Sequence, residues 1–186
     1  MMLEKVDPSV VGLSQERLER ITRWLEQQVG EGKLAGASTL VARRGKIAYL
    51  HCAGFADKEA GKVLAPDTIV RIYSMTKPLT TVAAMMLYEE GCFQLDDPVA
   101  KYLPEFGDTP VWRGGDAPIT DVEEQRSPML VKQLMSHTSG LTYHFMQSTP
   151  VDAQYREQAI EFQSHSESLA QMTRRLASIP LLCQPG

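Results

Sequence analysis

Two side chains in the stretch RIYSMTKPLT, residues 71–80, have the types and spacing of a nucleophile and its base: Ser74 and Lys77. A serine hydroxyl attacks a carbonyl only when a nearby base takes its proton. On a helix, positions i and i+3 share a face, so the lysine amine can reach the serine oxygen. Lysine acts as a base only where desolvation or neighbouring cations loosen its proton. A helix N-terminus would add backbone N–H groups and a positive dipole end, both suited to a developing oxyanion. The same pair also reads as an N-cap serine and a solvated lysine, because one S-x-x-K in a chain of this size is what chance delivers.

Three histidines, His137, His144 and His165, offer further chemistry. His137 and His144 are seven apart, a spacing that places two residues on one helix face, but Gly140 interrupts any helix between them. No Asp/Glu pair nearby completes a metal site, and the sequence asks for no cofactor. A Ser-His-Asp arrangement stays open, since its members can lie anywhere in a chain. The G-x-S-x-G elbow of its α/β-hydrolase version does not occur. Asp96-Asp97 before Pro98 reads as a helix-start device rather than a carboxylate dyad.

These groups need elements to position them. LSQERLERITRWLEQQVGEG carries Leu18, Ile21, Leu25 and Val29 at spacings of three and four, the apolar stripe of a helix. Ser14 is its N-cap, Gly30 and Gly32 its stop, and Trp24 widens the stripe into the core. Residues 36–43 and 46–54 read as an antiparallel hairpin turned at Gly45, with the preceding helix as its cover. After a turn at Pro66-Asp67, residues 69–72 are β-like; as a short buried strand they would deliver Ser74 to a desolvated place. MTKPLTTVAAMMLYEEG is helical in composition and ends at Gly91, with Met85 and Met86 as core filling. Short helices are expected over 98–102 and 129–135, the second closed by His137-Thr138-Ser139-Gly140. Residues 107–128 form a long polar connection, of the kind that is functional or itself folded. Leu169, Met172 and Leu176 stripe a last helix, and the polar residues 148–167 have the place of a substrate entrance.

A chain of 186 residues, 43% apolar and 23% charged, fits one ordinary globular domain with a sizeable core. Its net charge of −4 gives no electrostatic reason to expect nucleic acid, and the Arg43-Arg44 and Arg174-Arg175 pairs read as solvated faces. No run approaches the ~18 apolar residues of a membrane span. MMLEKVDPSV lacks the apolar run of a secretory signal, and Cys52, Cys92 and Cys183 are isolated and odd in number. Reduced thiols and a cytoplasmic location are therefore expected.

RIYSMTKPLTTVAAMMLYEEGCFQLDDPVAKYLPEF and MLVKQLMSHTSGLTY, in that order, resemble the serine β-lactamase-like hydrolases. Within them the chain is most similar to the family VIII carboxylesterases, relatives of class C β-lactamases and D-Ala-D-Ala carboxypeptidases. The resemblance implies an α+β fold of the β-lactamase/transpeptidase kind: an antiparallel sheet flanked by helices, with a mainly helical region beside it. It implies one catalytic domain, here incomplete, in which 1–73 supply the first helix and strands and 74–186 the helical region. It implies that substrate acylates Ser74, that Lys77 is the base and that the Ser74 backbone N–H is half of the oxyanion hole. The implied substrate is a small carboxylic ester, or alternatively a β-lactam or D-Ala-D-Ala peptide, with acyl transfer a further activity. A non-catalytic protein keeping the fold is the reading from another class. The H-T-S-G-L block, His137 to Leu141, matches a family signature as a structural helix stop.

Two family features have no match. Tyr143 and Tyr155 fall outside the Y-x-N or Y-x-S pattern of the family's catalytic tyrosine, and no K-T-G-like or W-x-G/H-x-G strand follows. In the family a Pro-Gly such as Pro185-Gly186 stands a few residues before that tyrosine, and members are roughly twice this length. The expectation is the N-terminal part of such an enzyme, partnered by the C-terminal half of the same fold and weakly active or inactive alone. A hairpin without its neighbouring strands leaves an edge open to association.

Overall fold

The computed structural model describes residues 4–160 and 167–186, so His165 lies outside the described residues. The chain divides into two compact units, Met1–Ile72 and Tyr73–Gly186. Helices and antiparallel strands make the fold α+β.

In the first unit, helix α1 (Gln15–Gly30) starts where Ser14 accepts the Arg17 N–H and ends before Gly32, at φ +71°. Its stripe faces inward through Leu18 and Leu25, both buried. Strands β1 (Gly36–Arg43), β2 (Lys46–Asp57) and β3 (Lys62–Val63) form an antiparallel sheet in that order. The β1–β2 turn places both Arg44 (φ +54°) and Gly45 (φ +70°) in the left-handed region, the two-residue geometry that matches strand twist. α1 covers the sheet, and Thr22 Oγ1 and Tyr49 OH share a 2.8 Å hydrogen bond between them. Gly36 and Gly54 face each other where the strands draw closest: a Cβ on Gly54 would lie 2.4 Å from the Ala35 carbonyl oxygen. Trp24 departs from its expected core place. It is 55% exposed, because the helix seats the Leu18–Leu25 side on the sheet and Trp24 projects off that side. Residues 69–72 are likewise no strand: nothing among the described residues pairs with them, and Ile69 is 97% exposed. β-branched residues favour extended backbone, but without a neighbouring edge they make no ladder.

The second unit opens with helix α2 (Thr76–Glu89), ended at Gly91 with φ +75°. Here too an expectation fails. No residue of α2 is fully buried, and Leu79, Val82 and Met86, one stripe at helical spacing, are each about 60% exposed. Met86 therefore fills no core among the described residues. The unit's core instead gathers short elements. The pair β4 (Val111–Trp112) and β5 (Val122–Glu123) folds the polar connection onto itself. Helices α3 (Val131–Met135), α4 (Pro150–Glu157) and α5 (Leu169–Ala177) pack around it. One apolar cluster holds Val99, Phe106, Val111, Met129, Ala177 and Leu181; a second holds Trp112, Val151, Tyr155 and Ile179, and Leu176 touches both. The last residues lock this core: the Leu181 N–H donates to the Pro110 carbonyl and the Trp112 N–H to that of Leu181. The His137–Gly140 turn follows the same logic. Thr138 N–H closes α3 on the Gln133 carbonyl, and Gly140 (φ +84°) lies so near Cys183 that a Cβ would sit 2.3 Å from its oxygen. No helix among the described residues is long and apolar enough to cross a membrane.

Candidate active site

Ser74 lies in a single 3-10 turn, Tyr73–Met75, that feeds directly into α2. Thr76, Lys77 and Pro78 form the first helical turn, where a proline costs nothing because its missing N–H would have no intrahelical partner. The spacing read from sequence is realised: Lys77 Nζ donates to Ser74 Oγ at 2.9 Å. Ser74 is exposed and Lys77 half-buried. α2 begins without a side-chain cap, so no hydroxyl or carboxylate at Met75 takes up its leading N–H groups. Tyr73, immediately before Ser74, has φ +43°, a left-handed conformation that costs a bulky residue about 1–2 kcal/mol. Strand delivery of Ser74 is thus replaced by a strained tyrosine and a tight turn.

The third group at the site was not read from sequence. The ring of Tyr143 lies over Lys77, its centroid 5.6 Å from Nζ, within the range of a cation–π contact. Tyr143 stacks on Phe145 at 5.0 Å and 19°, and the His144 ring meets Phe145 edge-on. The H-T-S-G-L-T-Y block contains this tyrosine, but only the course of the loop after Gly140 shows which way it returns. His137 is an exposed residue of the α3 stop, at φ +60°. The partner the structure gives Ser74 is the lysine.

The carboxylates stand apart from this chemistry. Asp97 accepts from Tyr102 OH (2.5 Å), the Gln94 N–H (2.8 Å) and Lys101 Nζ (2.9 Å). These bonds, that of Tyr102 foremost, bring its pKa down to about 2. Asp96 pairs separately with Lys132 at 2.5 Å, so the two acids are turn fixtures rather than a dyad. Asp152 is completely buried at the start of α4. Burial opposes its charge, yet bonds from Thr149, Arg156 and the Ser148 and Thr149 N–H groups outweigh it and hold the carboxyl well below its usual range. Tyr155 is shifted the other way: burial raises its phenol to about 12. Among the described residues no cluster of His, Cys, Asp and Glu could hold a metal ion. A cavity of about 830 Å³ elsewhere in this unit, lined by Thr109, Arg113, Glu123 and Gln125 among others, includes neither Ser74 nor Lys77.

Comparison with known proteins places the chain in a family. The Beta-lactamase family model matches residues 21–186. Esterase EstB of Burkholderia gladioli is 33% identical over 189 residues, covering 100% of this chain and 45% of its own length. Protein Rv1367c of Mycobacterium tuberculosis is 38% identical over 156 residues, 83% of this chain and 37% of that protein. Among solved structures, EstCE1, described as a hydrolase with promiscuous acyltransferase activity, superposes with a TM-score of 0.74 at 34% identity, over 90% of this chain and 41% of its own. The chain thus spans less than half the length of these relatives. The α+β fold is that of the β-lactamase/transpeptidase group, and with a family match over nearly its whole length the chain is a member of the beta-lactamase family.

Proposed function

We propose that this chain carries the nucleophile and base of a serine hydrolase that cleaves small carboxylic esters through an acyl-enzyme on Ser74. The observation that carries the reading is the 2.9 Å contact between Lys77 Nζ and Ser74 Oγ at the head of α2, in a chain of this family. In the reaction, the free amine of Lys77 takes the Ser74 hydroxyl proton as Oγ bonds to the ester carbonyl carbon, and the carbonyl electron pair moves onto oxygen. The Ser74 N–H donates to that oxyanion. Collapse expels the alcohol, which takes the proton back from Lys77, and water then cleaves the acyl-serine by the same steps. EstB, by its name an esterase, supports an ester over a β-lactam or D-Ala-D-Ala peptide. The acyltransferase activity named for EstCE1 supports an alcohol as an alternative acceptor to water.

Two parts of the machinery have no counterpart in residues 1–186: the tyrosine of a Y-x-N or Y-x-S motif and the strand with the second oxyanion N–H. In our reading the C-terminal half of the fold supplies them, and the 186-residue chain alone turns over weakly or not at all. The test uses protein expressed from the complete reading frame. Ser74→Ala should abolish p-nitrophenyl ester hydrolysis, and initial rates should favour short-chain esters over nitrocefin. Ester hydrolysis that survives Ser74→Ala refutes the assignment, and faster turnover of nitrocefin replaces the ester with a β-lactam.

A further inference from the structure

A lysine at i+3 reaches a serine, but nothing in that spacing holds it there. Its stem has four rotatable bonds, and an unheld amine spends much of its time away from the hydroxyl. The Tyr143 ring, its centroid 5.6 Å from Nζ, gives Lys77 a second contact.

The backbone on both sides of Tyr143 is fastened to α4. On one side the Thr142 N–H donates to the Tyr155 hydroxyl at 3.5 Å. On the other, the Arg156 guanidinium donates to the His144 carbonyl at 2.6 Å. The anchors are themselves held: Tyr155 belongs to the apolar core, and Arg156 also donates to the buried Asp152 at 2.5 Å. Asp152 accepts in addition from the Ser148 and Thr149 N–H groups and the Thr149 hydroxyl. Stacking on Phe145 then limits the turn of the Tyr143 ring.

We infer that Tyr143 is a positioning residue for Lys77, its ring face aiming the amine at Ser74, with α4 as the clamp that sets the ring. The inference rests on the reading of Lys77 as the base. The ring also suits the chemistry: when the Ser74 proton moves to Nζ, positive charge appears under the electron-rich face of an aromatic ring. The contact with Lys77 is made by the ring face, so phenylalanine should serve and leucine should not.

The experiment compares Tyr143→Phe, Tyr143→Leu and Lys77→Ala in protein from the complete reading frame, with p-nitrophenyl butyrate as substrate and thermal melting as the check on folding. Tyr143→Phe should keep kcat. Tyr143→Leu should lose roughly 3- to 30-fold in kcat, with KM and melting temperature little changed. Unchanged kcat in Tyr143→Leu overturns the inference, as does an equal loss in Tyr143→Phe or a loss confined to KM. Lys77→Ala separates the two claims: if it stays active, the base assignment fails, whatever Tyr143 does. A second readout needs no activity. In ε-¹³C-lysine-labelled 186-residue chain, the Lys77 ε-protons, assigned with Lys77→Arg, should be shifted upfield by the ring in wild type and Tyr143→Phe and return to the other lysines in Tyr143→Leu. A Lys77 signal already among the other lysines in wild type overturns the placement.

Discussion

Replacing Asp152 by asparagine should destabilise the second unit by about 3 kcal/mol at neutral pH. The carboxylate is fully buried and accepts three hydrogen bonds besides its contact with Arg156. Asparagine keeps one acceptor oxygen and turns an NH₂ towards donors. Losing one partner of a buried pair costs about 3–5 kcal/mol, and the low end applies because Arg156 is 39% exposed and screened by water. With a urea m-value of about 2 kcal/mol/M, the unfolding midpoint should fall by about 1.5 M. Trp112 packs with Val151 and Tyr155 of α4 and reports this unit; Trp24, exposed in the other, is removed by Trp24→Phe in both proteins. The pH dependence gives a second check. Because the folded state holds the Asp152 pKa below its ordinary 3.8, the stabilisation is complete above that value and is lost as pH falls towards the folded value. The gap between wild type and Asp152→Asn should therefore be constant above pH ~5 and shrink below ~4. A midpoint shift under ~0.3 M, or a gap that ignores pH, would refute the argument that a charged, satisfied carboxylate anchors α4.

Gly54→Ala should destabilise the first unit by at least ~2 kcal/mol, since it combines φ +79° with a Cβ driven against the Ala35 carbonyl. Gly61→Ala, at φ +65° with open space around it, should cost only about 1 kcal/mol, and chemical denaturation of the two variants tests the difference. Thr22→Val removes the hydroxyl paired with Tyr49 and should cost about 1 kcal/mol by the same assay. Val82→Glu with Met86→Lys breaks the exposed apolar stripe of α2 and should reduce concentration-dependent association of the 186-residue chain in sedimentation velocity.

What could be read from sequence was what depends on local spacing. α1, its cap and the hairpin follow from a 3.6-residue stripe, a serine before it and a glycine that accepts positive φ. Ser74 and Lys77 follow from one helical turn, and the motif blocks around them identified the family. The failures share another cause, dependence on what packs opposite. Among the described residues, 69–72 have strand composition but no edge to pair with, and Val82 and Met86 have core composition but stay about 60% exposed. Trp24 sits just off a stripe whose width the sequence does not define. Tyr143 lies over Lys77 on a loop that α4, some ten residues further on, holds through Tyr155 and Arg156. No periodicity encodes a contact of that kind.

The assignment of Ser74 as the nucleophile underlies every proposal for this site. It is tested most directly by treating protein from the complete reading frame with a fluorophosphonate and mapping the adduct by peptide mass spectrometry. One adduct is expected, on Ser74, lost in Ser74→Ala and formed much more slowly in a folded Lys77→Ala. An adduct on a different serine, or undiminished labelling of Ser74→Ala, would contradict it.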